Sequence, residues 1–563
     1  VRIDLHPALP IAAAAALVPV LGARAGRILS VASPLGAALL VRGLPDGALW
    51  ETTVLGLRLV PVRVDALARV FALAFSLFAA LAGLYAAAER GRAVRAGGLG
   101  LSAAGVGLVL AGDLLTLALF WELLAVFSAM IVAVSDRPGA RGAAARYLLL
   151  HAAGGTCLMA GIALRIQEGG LAPDRIPLDG PAGFLLLTAF AMNAAVPPLH
   201  AWLPDAYPSA GPAGCVYLSA FTTKGAVAVL ARAFPGEEIL IWAGTAMALY
   251  GVVFAVLEND IRRLLAYHIV SQVGYMVCGV GMGTALALDG AAAHAFCHIF
   301  YKGLLLMAAG AVLASTGRSK LTELGDLAGP LRHVLVLMLV GAASISGVPL
   351  FSGFVSKAMV VSAAHEAARP AVEILLTVAS MGTFLHTGLK LPCFTFFGTA
   401  RAPVPVQPVP RSMTASMVLA AAACVWIGVQ PGLLYSLLPH QATTPGGGTY
   451  PPFTVHHVLQ TLQLLGATAL AFWLLRNKLG GEPLRTADVD RLYRRALPVG
   501  LAATAALLAA AARVREGLAA LPRPLRLPGT SGPEPGLAGQ VLWTALSAAA
   551  FLFGAWLIGS RGP

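Results

Sequence analysis

Apolar residues run along this chain in long blocks broken by short, arginine-bearing stretches. A helix needs roughly 20 mainly apolar residues to cross a bilayer. On that measure the pattern predicts spans near 8–23, 28–43, 66–88, 97–112, 114–134, 147–165, 183–201, 213–233, 239–257, 264–283, 291–314, 331–366, 371–396, 412–430, 454–475, 496–513 and 537–558. Residues 8–22 also resemble a signal-peptide core, but no convincing cleavage site precedes the next apolar run, and we assign them to the first span.

Composition supports lipid as the solvent. The 563 residues are 58% hydrophobic and 12% charged, about half the ~25% charge of globular proteins. Soluble, disordered and disulfide-stapled classes are thereby excluded. The net charge of +13 raises nucleic acid as a partner, yet the arginines form no continuous basic face. With the N-terminus outside, the inner loops hold Arg24 and Arg27, Arg90 to Arg95, Arg137 to Arg146, Arg262 and Arg263, Arg318 and Lys320, and the cluster from Arg476 to Arg495. That distribution obeys the positive-inside rule and predicts an inner membrane of bacterial type with cytoplasmic basic loops. Arg513, Arg515, Arg523 and Arg526 fall on the wrong side, which leaves the helix number at the C-terminus open.

Two spans are interrupted. Residues 183–213 carry Pro197, Pro198, Pro204, Pro208 and Pro212, and the run SISGVPLFSGFVSK interrupts 331–366. Breaks free backbone groups that lipid cannot satisfy, so they must face protein or water. Their opposite directions suggest an inverted repeat around an ion pathway. Kinks tolerated without function are the alternative.

Lysine carries the chemistry. Against 33 arginines there are six lysines, of which Lys224, Lys302, Lys357 and Lys390 lie inside apolar spans. Guanidinium stays protonated, whereas a buried ammonium can release its proton. An ionised residue at a span centre costs about 2.5–3.5 kcal/mol on insertion scales. Glu122 and the four lysines together would cost on the order of 15 kcal/mol unless paired, hydrated or neutral. Lys390, near a span end, can instead snorkel to the interface.

His294, His298 and Lys302 stand at i, i+4 and i+8, drifting about 80° around the helix over a rise of about 12 Å. This spacing predicts a ladder of titratable groups. Zinc is disfavoured because Ala295 stands where the metalloprotease pattern needs Glu, and interhelical hydrogen bonding is the structural alternative. Glu122 has no acid at i±4, and Lys224 is its natural candidate partner. His200 and Asp205, in PPLHAWLPDAYP, suit packing at the break or a cytoplasmic mouth; His268 and His386 are further candidates. The glycines of GVGMG at 279–283 follow no strand, which excludes a dinucleotide fingerprint. Six singly scattered cysteines offer no iron–sulfur, haem or flavin site, so no cofactor and no metal are expected.

The runs FWELLAVFSAM, PPLHAWLPDAYP, ENDIRRLLAYHIVSQVGYM, HAFCHIFYKGLLLMAAG and SISGVPLFSGFVSK resemble, in order and spacing, the antiporter-like subunits of respiratory complex I and of Mrp-type multisubunit sodium/proton antiporters, most nearly the D-type Mrp subunit. The resemblance covers about residues 60 to 400. It implies an all-α polytopic membrane fold, with a fourteen-helix core of two inverted five-helix repeats, two discontinuous helices and extra C-terminal helices. The corresponding divisions are 1–96, 97–233, 239–396 and 397–563. It also implies a proton pathway through Glu122, Lys224, His294, His298, Lys302 and Lys357. Asn193 departs from it, standing where the family usually has a lysine, so Glu122 would have to work with Lys224 directly.

The expected function is proton translocation within a multisubunit Na⁺ or K⁺/proton antiporter, alongside other membrane subunits. The rivals are a pumping subunit of an NADH:quinone oxidoreductase or membrane hydrogenase complex, and a scaffold with vestigial polar residues.

Overall fold

The computed structural model describes residues 5–480, apart from 90, 401 and 445, together with residues 488–491. Contacts divide the chain into two compact units, residues 1–485 and 486–563, and the architecture below is that of the first. The expected spans at 496–513 and 537–558, with the arginines at 513, 515, 523 and 526, lie outside the described residues.

Among the described residues twelve helices are long and apolar enough to cross a membrane, so the chain is a multi-pass membrane protein. A short α1 (Ala8–Leu17) precedes α2 (Ala23–Gly43), α3 (Ala66–Ala86), α4 (Arg92–Leu110), α5 (Leu114–Ala133) and α6 (Ala140–Gln167). Then come α7 (Pro181–Asn193), the one-turn α8 (Trp202–Ala206), α9 (Pro212–Leu218) and α10 (Phe221–Ala233). The continuous helices α11 (Glu238–Leu257), α12 (Ile261–Met282) and α13 (Ala285–Thr316) precede the pair α14 (Arg332–Ser346) and α15 (Ser352–Glu366). One further span joins α16 (Pro370–Thr383), a π-helical segment Phe384–Lys390 and α17 (Leu391–Phe396), before α18 (Arg411–Val429), α19 (Pro431–Tyr435) and α20 (Val455–Leu475).

Local chemistry sets these ends. The Asp113 carboxylate accepts from the N–H groups of Leu115 and Thr116 and starts α5, and Asp260 caps α12 in the same way. Such caps satisfy donors that the first helical turn leaves orphaned. Gly283 and Gly317 close α12 and α13 at φ of 68° and 70°, the left-handed geometry that glycine adopts without strain.

Both expected breaks are present. α7 stops at Asn193, ahead of Pro197 and Pro198, which have no N–H to continue the ladder. α14 ends on Gly347 at φ 76°, and α15 restarts at Ser352. A third interruption was not anticipated. The span expected as continuous over 213–233 is parted at Ser219 and Ala220, where neither proline nor glycine marks the sequence. The expected all-helical architecture also omits residues 47–64, which form two short antiparallel ladders, Gly47–Leu49 with Val62–Val64 and Thr52–Val54 with Leu57–Leu59. The segment's β-branched residues favour extended backbone and are too few to cross a bilayer.

The apolar windows of residues 212–233, α12 and α13 are completely buried, whereas α20 shows 11% burial of its window. The first three are therefore enclosed by other helices, and α20 keeps an exposed apolar surface. Glycine brings α11 and α12 together. A Cβ at Gly244 or Gly251 would overlap backbone atoms of Cys278 or Ser271, and one at Gly274 or Gly281 would overlap those of Ala248 or Ile241. Small residues allow such close backbone approach between membrane helices, and this is the role of Gly281 in the GVGMG run.

At the end bearing the basic loops, buried Arg262 donates to the carbonyls of Tyr207, Pro208, Ala210 and Gly211, tying down the connection after the first break. At the opposite end Asp65 caps α3 and pairs with Arg232 at 2.7 Å. Burial alone would raise the Asp65 carboxyl, but the Arg232 guanidinium and the Ala68 N–H outweigh it, and the net effect lies below the usual carboxylate range.

Candidate functional site

The spanning lysines sit where helices stop. A helix end leaves four carbonyls without intrahelical partners, and these carry the negative end of the helix dipole. The parting at Ser219 frees such a carbonyl, and Lys224 Nζ donates to it at 2.6 Å. Lys357, on the far half of the second break, donates to Ile345 O in the last turn of α14 at 2.8 Å and to Ser380 Oγ at 3.4 Å. Lys390 donates to the carbonyls of Val256 and Glu258 where α11 ends. It is 1% exposed, its amine covered by protein at that helix end.

Lys302 differs, because α13 is unbroken around it. Its amine lies 2.9 Å from His268 Nδ1 on α12. The other nitrogen of that imidazole is 3.1 Å from Thr383 Oγ1 at the end of α16, a hydroxyl that also receives Gln272. His386 follows in the π-helical segment, its ring 4.7 Å from that of His268, and Lys390 stands one turn further on. All these groups are buried. Single π-turns recur at functional sites because they re-aim side chains within a helix. Nothing in the sequence announces this one, so His386 was legible only as an isolated histidine.

The other members of the α13 stripe turn toward α15. His294 Nδ1 is 3.2 Å from Ser356 Oγ and its Nε2 is 3.4 Å from the Tyr301 hydroxyl. His298 lies between, its ring 6.2 Å from His294 and 5.3 Å from Tyr301. Neither of its nitrogens has a hydrogen-bond partner among the described residues. A buried polar atom left unpaired costs about 1–3 kcal/mol. His294 and Lys357 meet at Tyr275, which lies 5.8 Å from the imidazole by ring centroids and 5.4 Å from the amine.

Lys357 also lines a cavity of about 450 Å³ shared with Ser380, Glu366, Glu373, His456 and His457. Glu366 ends α15 and Glu373 lies in the first turn of α16. The cavity thus follows α15 from its lysine to the end of the bundle away from the basic loops.

The first half is arranged differently from expectation. Glu122 is half-buried on α5, over Gly155 of α6, where a Cβ would overlap its Oε1. No contact between Glu122 and Lys224 is made among the described residues; that amine donates to Ser219 O instead. Asn193 ends α7, 1% exposed, with both side-chain amide atoms lacking a hydrogen-bond partner among the described residues. His200 packs against Tyr250 with ring centroids 4.7 Å apart. Asp205 forms a two-pronged contact with Arg146, at 2.6 and 3.1 Å, an interaction that joins α8 to α6.

Comparison with known proteins adds independent findings. Residues 111–385 match the family described as NADH:quinone oxidoreductase/Mrp antiporter, transmembrane. The chain is 30% identical over 349 residues to the A/B component of a probable K⁺/H⁺ antiporter of Rhizobium meliloti, covering 58% of this chain and 35% of that one. Against the D component of the Na⁺/H⁺ antiporter of Alkalihalophilus pseudofirmus it is 30% identical over 254 residues, covering 43% and 50%. The chain thus spans a third to a half of the length of these two relatives. A chain of the Mrp complex from Dietzia sp. superposes with a TM-score of 0.76 at 24% identity, covering 99% of this chain and 69% of its own length. Residues 111–385, just under half of the chain, are thus similar to the NADH:quinone oxidoreductase/Mrp antiporter transmembrane family, and the chain shares its fold with a chain of the Mrp complex.

Proposed function

We propose that this chain moves protons as one component of a multisubunit cation/proton antiporter exchanging Na⁺ or K⁺ for H⁺, of the D-type Mrp kind. The observation that carries this reading is the contact of Lys302 with His268, continued through Thr383 toward His386 and Lys390. Three spanning segments share one buried series of groups able to take up and release protons, and imidazole titrates near neutral pH.

In this reading residues 97–233 and 239–396 are the two inverted repeats, between helices 1–96 and a C-terminal region 397–563. Glu122 and Lys224 form the first half-site. Lys302, His268, His298 and His294 form the central relay, and Lys357 hands protons to the cavity along α15. The membrane is an inner membrane of bacterial type with the basic loops in the cytoplasm. The partners are other membrane subunits, since cation exchange needs a path that a purely protonic relay does not provide.

The test is quenching of a pH-sensitive dye in everted vesicles carrying the whole complex, with Na⁺ or K⁺ added. The expected result is cation-evoked proton movement that Lys302→Met abolishes, and unchanged movement in that variant overturns the reading. A second reading, proton pumping driven by a redox module, is favoured by the NADH:quinone oxidoreductase half of the family description. Iron–sulfur chains among the co-purifying subunits would establish it.

A further inference from the structure

The first half contains a buried histidine with no part in the scheme above. His151 lies on α6 and is 1% exposed. Its Nδ1 is 2.9 Å from the Tyr147 carbonyl. A carbonyl only accepts, so Nδ1 carries the proton and Nε2 holds the free lone pair. That Nε2 has no hydrogen-bond partner among the described residues.

Its neighbours on α6 repeat the geometry of the α13 stripe. Tyr147, His151 and Gly155 stand at i, i+4 and i+8, on one face of the helix. Gly155 is the residue over which the Glu122 carboxylate lies. Tyr147 stacks on His151 with ring centroids 3.9 Å apart, and its hydroxyl is 3.5 Å from Thr222 Oγ1, two residues before Lys224. Trp202 closes another side, its ring 4.7 Å from the imidazole and its Nε1 donating to Met192 O, beside Asn193. This face of α6 thus reaches the Glu122 carboxylate of α5 at Gly155 and Thr222 of α10 at Tyr147, with Lys224 two residues further along α10 and the Arg146–Asp205 pair at the start of α6.

We infer that His151 is the proton carrier linking Glu122 to Lys224, filling the gap that Asn193 leaves at the end of α7. This rests on the transport reading above. Glu122, as the acid, gives its proton to His151 Nε2 through water, leaving a carboxylate and an imidazolium. The imidazolium then returns that Nε2 proton, again through water, to the neutral amine of Lys224, which becomes an ammonium. Throughout, Nδ1–H stays on the Tyr147 carbonyl and fixes the ring.

The experiment uses the whole complex in its native membranes and has two readouts. The first is cation-evoked proton flux in His151→Gln, which keeps polar atoms at the site but cannot titrate, and in the double variant His151→Gln with Asn193→Lys. The expected results are a loss of about 100-fold, the usual scale for removing a positioned proton carrier, and partial recovery in the double variant. The second readout is deuterium exchange at the imidazole Cε1 of His151, followed by mass spectrometry across pH in the parent protein and in Glu122→Gln. It needs no transport and so separates failure of this inference from failure of the transport reading. The expected result is measurable exchange whose pH midpoint moves in Glu122→Gln. Full flux in His151→Gln, or a His151 that does not exchange or whose midpoint ignores Glu122, overturns the inference.

Discussion

Lys357 offers the sharpest separation between holding a charge and passing a proton. Replacing it by methionine deletes its bond to Ile345 O and its contact with Ser380, and also takes the amine from above the Tyr275 ring. An orphaned carbonyl costs about 1–3 kcal/mol and the cation–π contact about 0.5–2 kcal/mol. Removing the buried ammonium returns about 2.5–3.5 kcal/mol of insertion cost, so the net change in stability falls within about 2.5 kcal/mol of zero. Lys357→Arg retains charge and donors, and the adjoining cavity of about 450 Å³ has room for the longer side chain. Both variants are expected to assemble normally. Both should lose proton flux by about 100-fold, or about 2.7 kcal/mol of barrier, because guanidinium does not give up its proton. The assay is dye quenching in everted vesicles, with assembly of the complex checked by native electrophoresis. Wild-type flux in Lys357→Arg would refute the reasoning, since a fixed charge would then suffice.

Other outcomes follow from the same geometry. Glu122→Gln, whose carboxylate has no hydrogen-bond partner among the described residues, should assemble at wild-type levels and lose flux, as read by electrophoresis and dye quenching. Gly274→Leu would drive a side chain into the backbone of α11 at Ala248 and should eliminate assembled protein from the membrane fraction on immunoblots. Asp65, with its carboxyl held below the usual range, contributes stability that is fully present above its unfolded pKa of about 3.9. That contribution is lost as the pH falls through the lower folded value. Asp65→Asn should therefore lower thermal stability in detergent at neutral pH, and the difference from wild type should shrink on acidification.

How much was legible depended on the scale of the signal. Spans were plain, because 20 apolar residues in lipid permit a helix and nothing else in a single segment, and the proline and glycine clusters marked two breaks. The parting at Ser219 carries no such mark; its freed carbonyl is occupied by Lys224 five residues on. Lysines 224, 302, 357 and 390 stood out because arginine was the chain's default cation. Their partners did not, since backbone carbonyls at helix ends have no sequence signature. His268 and His386 were only isolated histidines until the contact of α12 with α13 and the π-turn brought them beside Lys302. The ladders over residues 47–64 were hidden by their shortness, with strands of three residues.

Among the described residues, three of the four membrane lysines are moored to peptide oxygens. A carboxylate would grip the ammonium with a short, charge-assisted bond and release it grudgingly. A peptide oxygen accepts from both –NH₃⁺ and –NH₂, more strongly from the first, so the same tether survives either state. Each amine can consequently gain or lose its charge without the side chain swinging away, and the traffic across the bundle is then set by rearranging water and imidazoles around stationary posts.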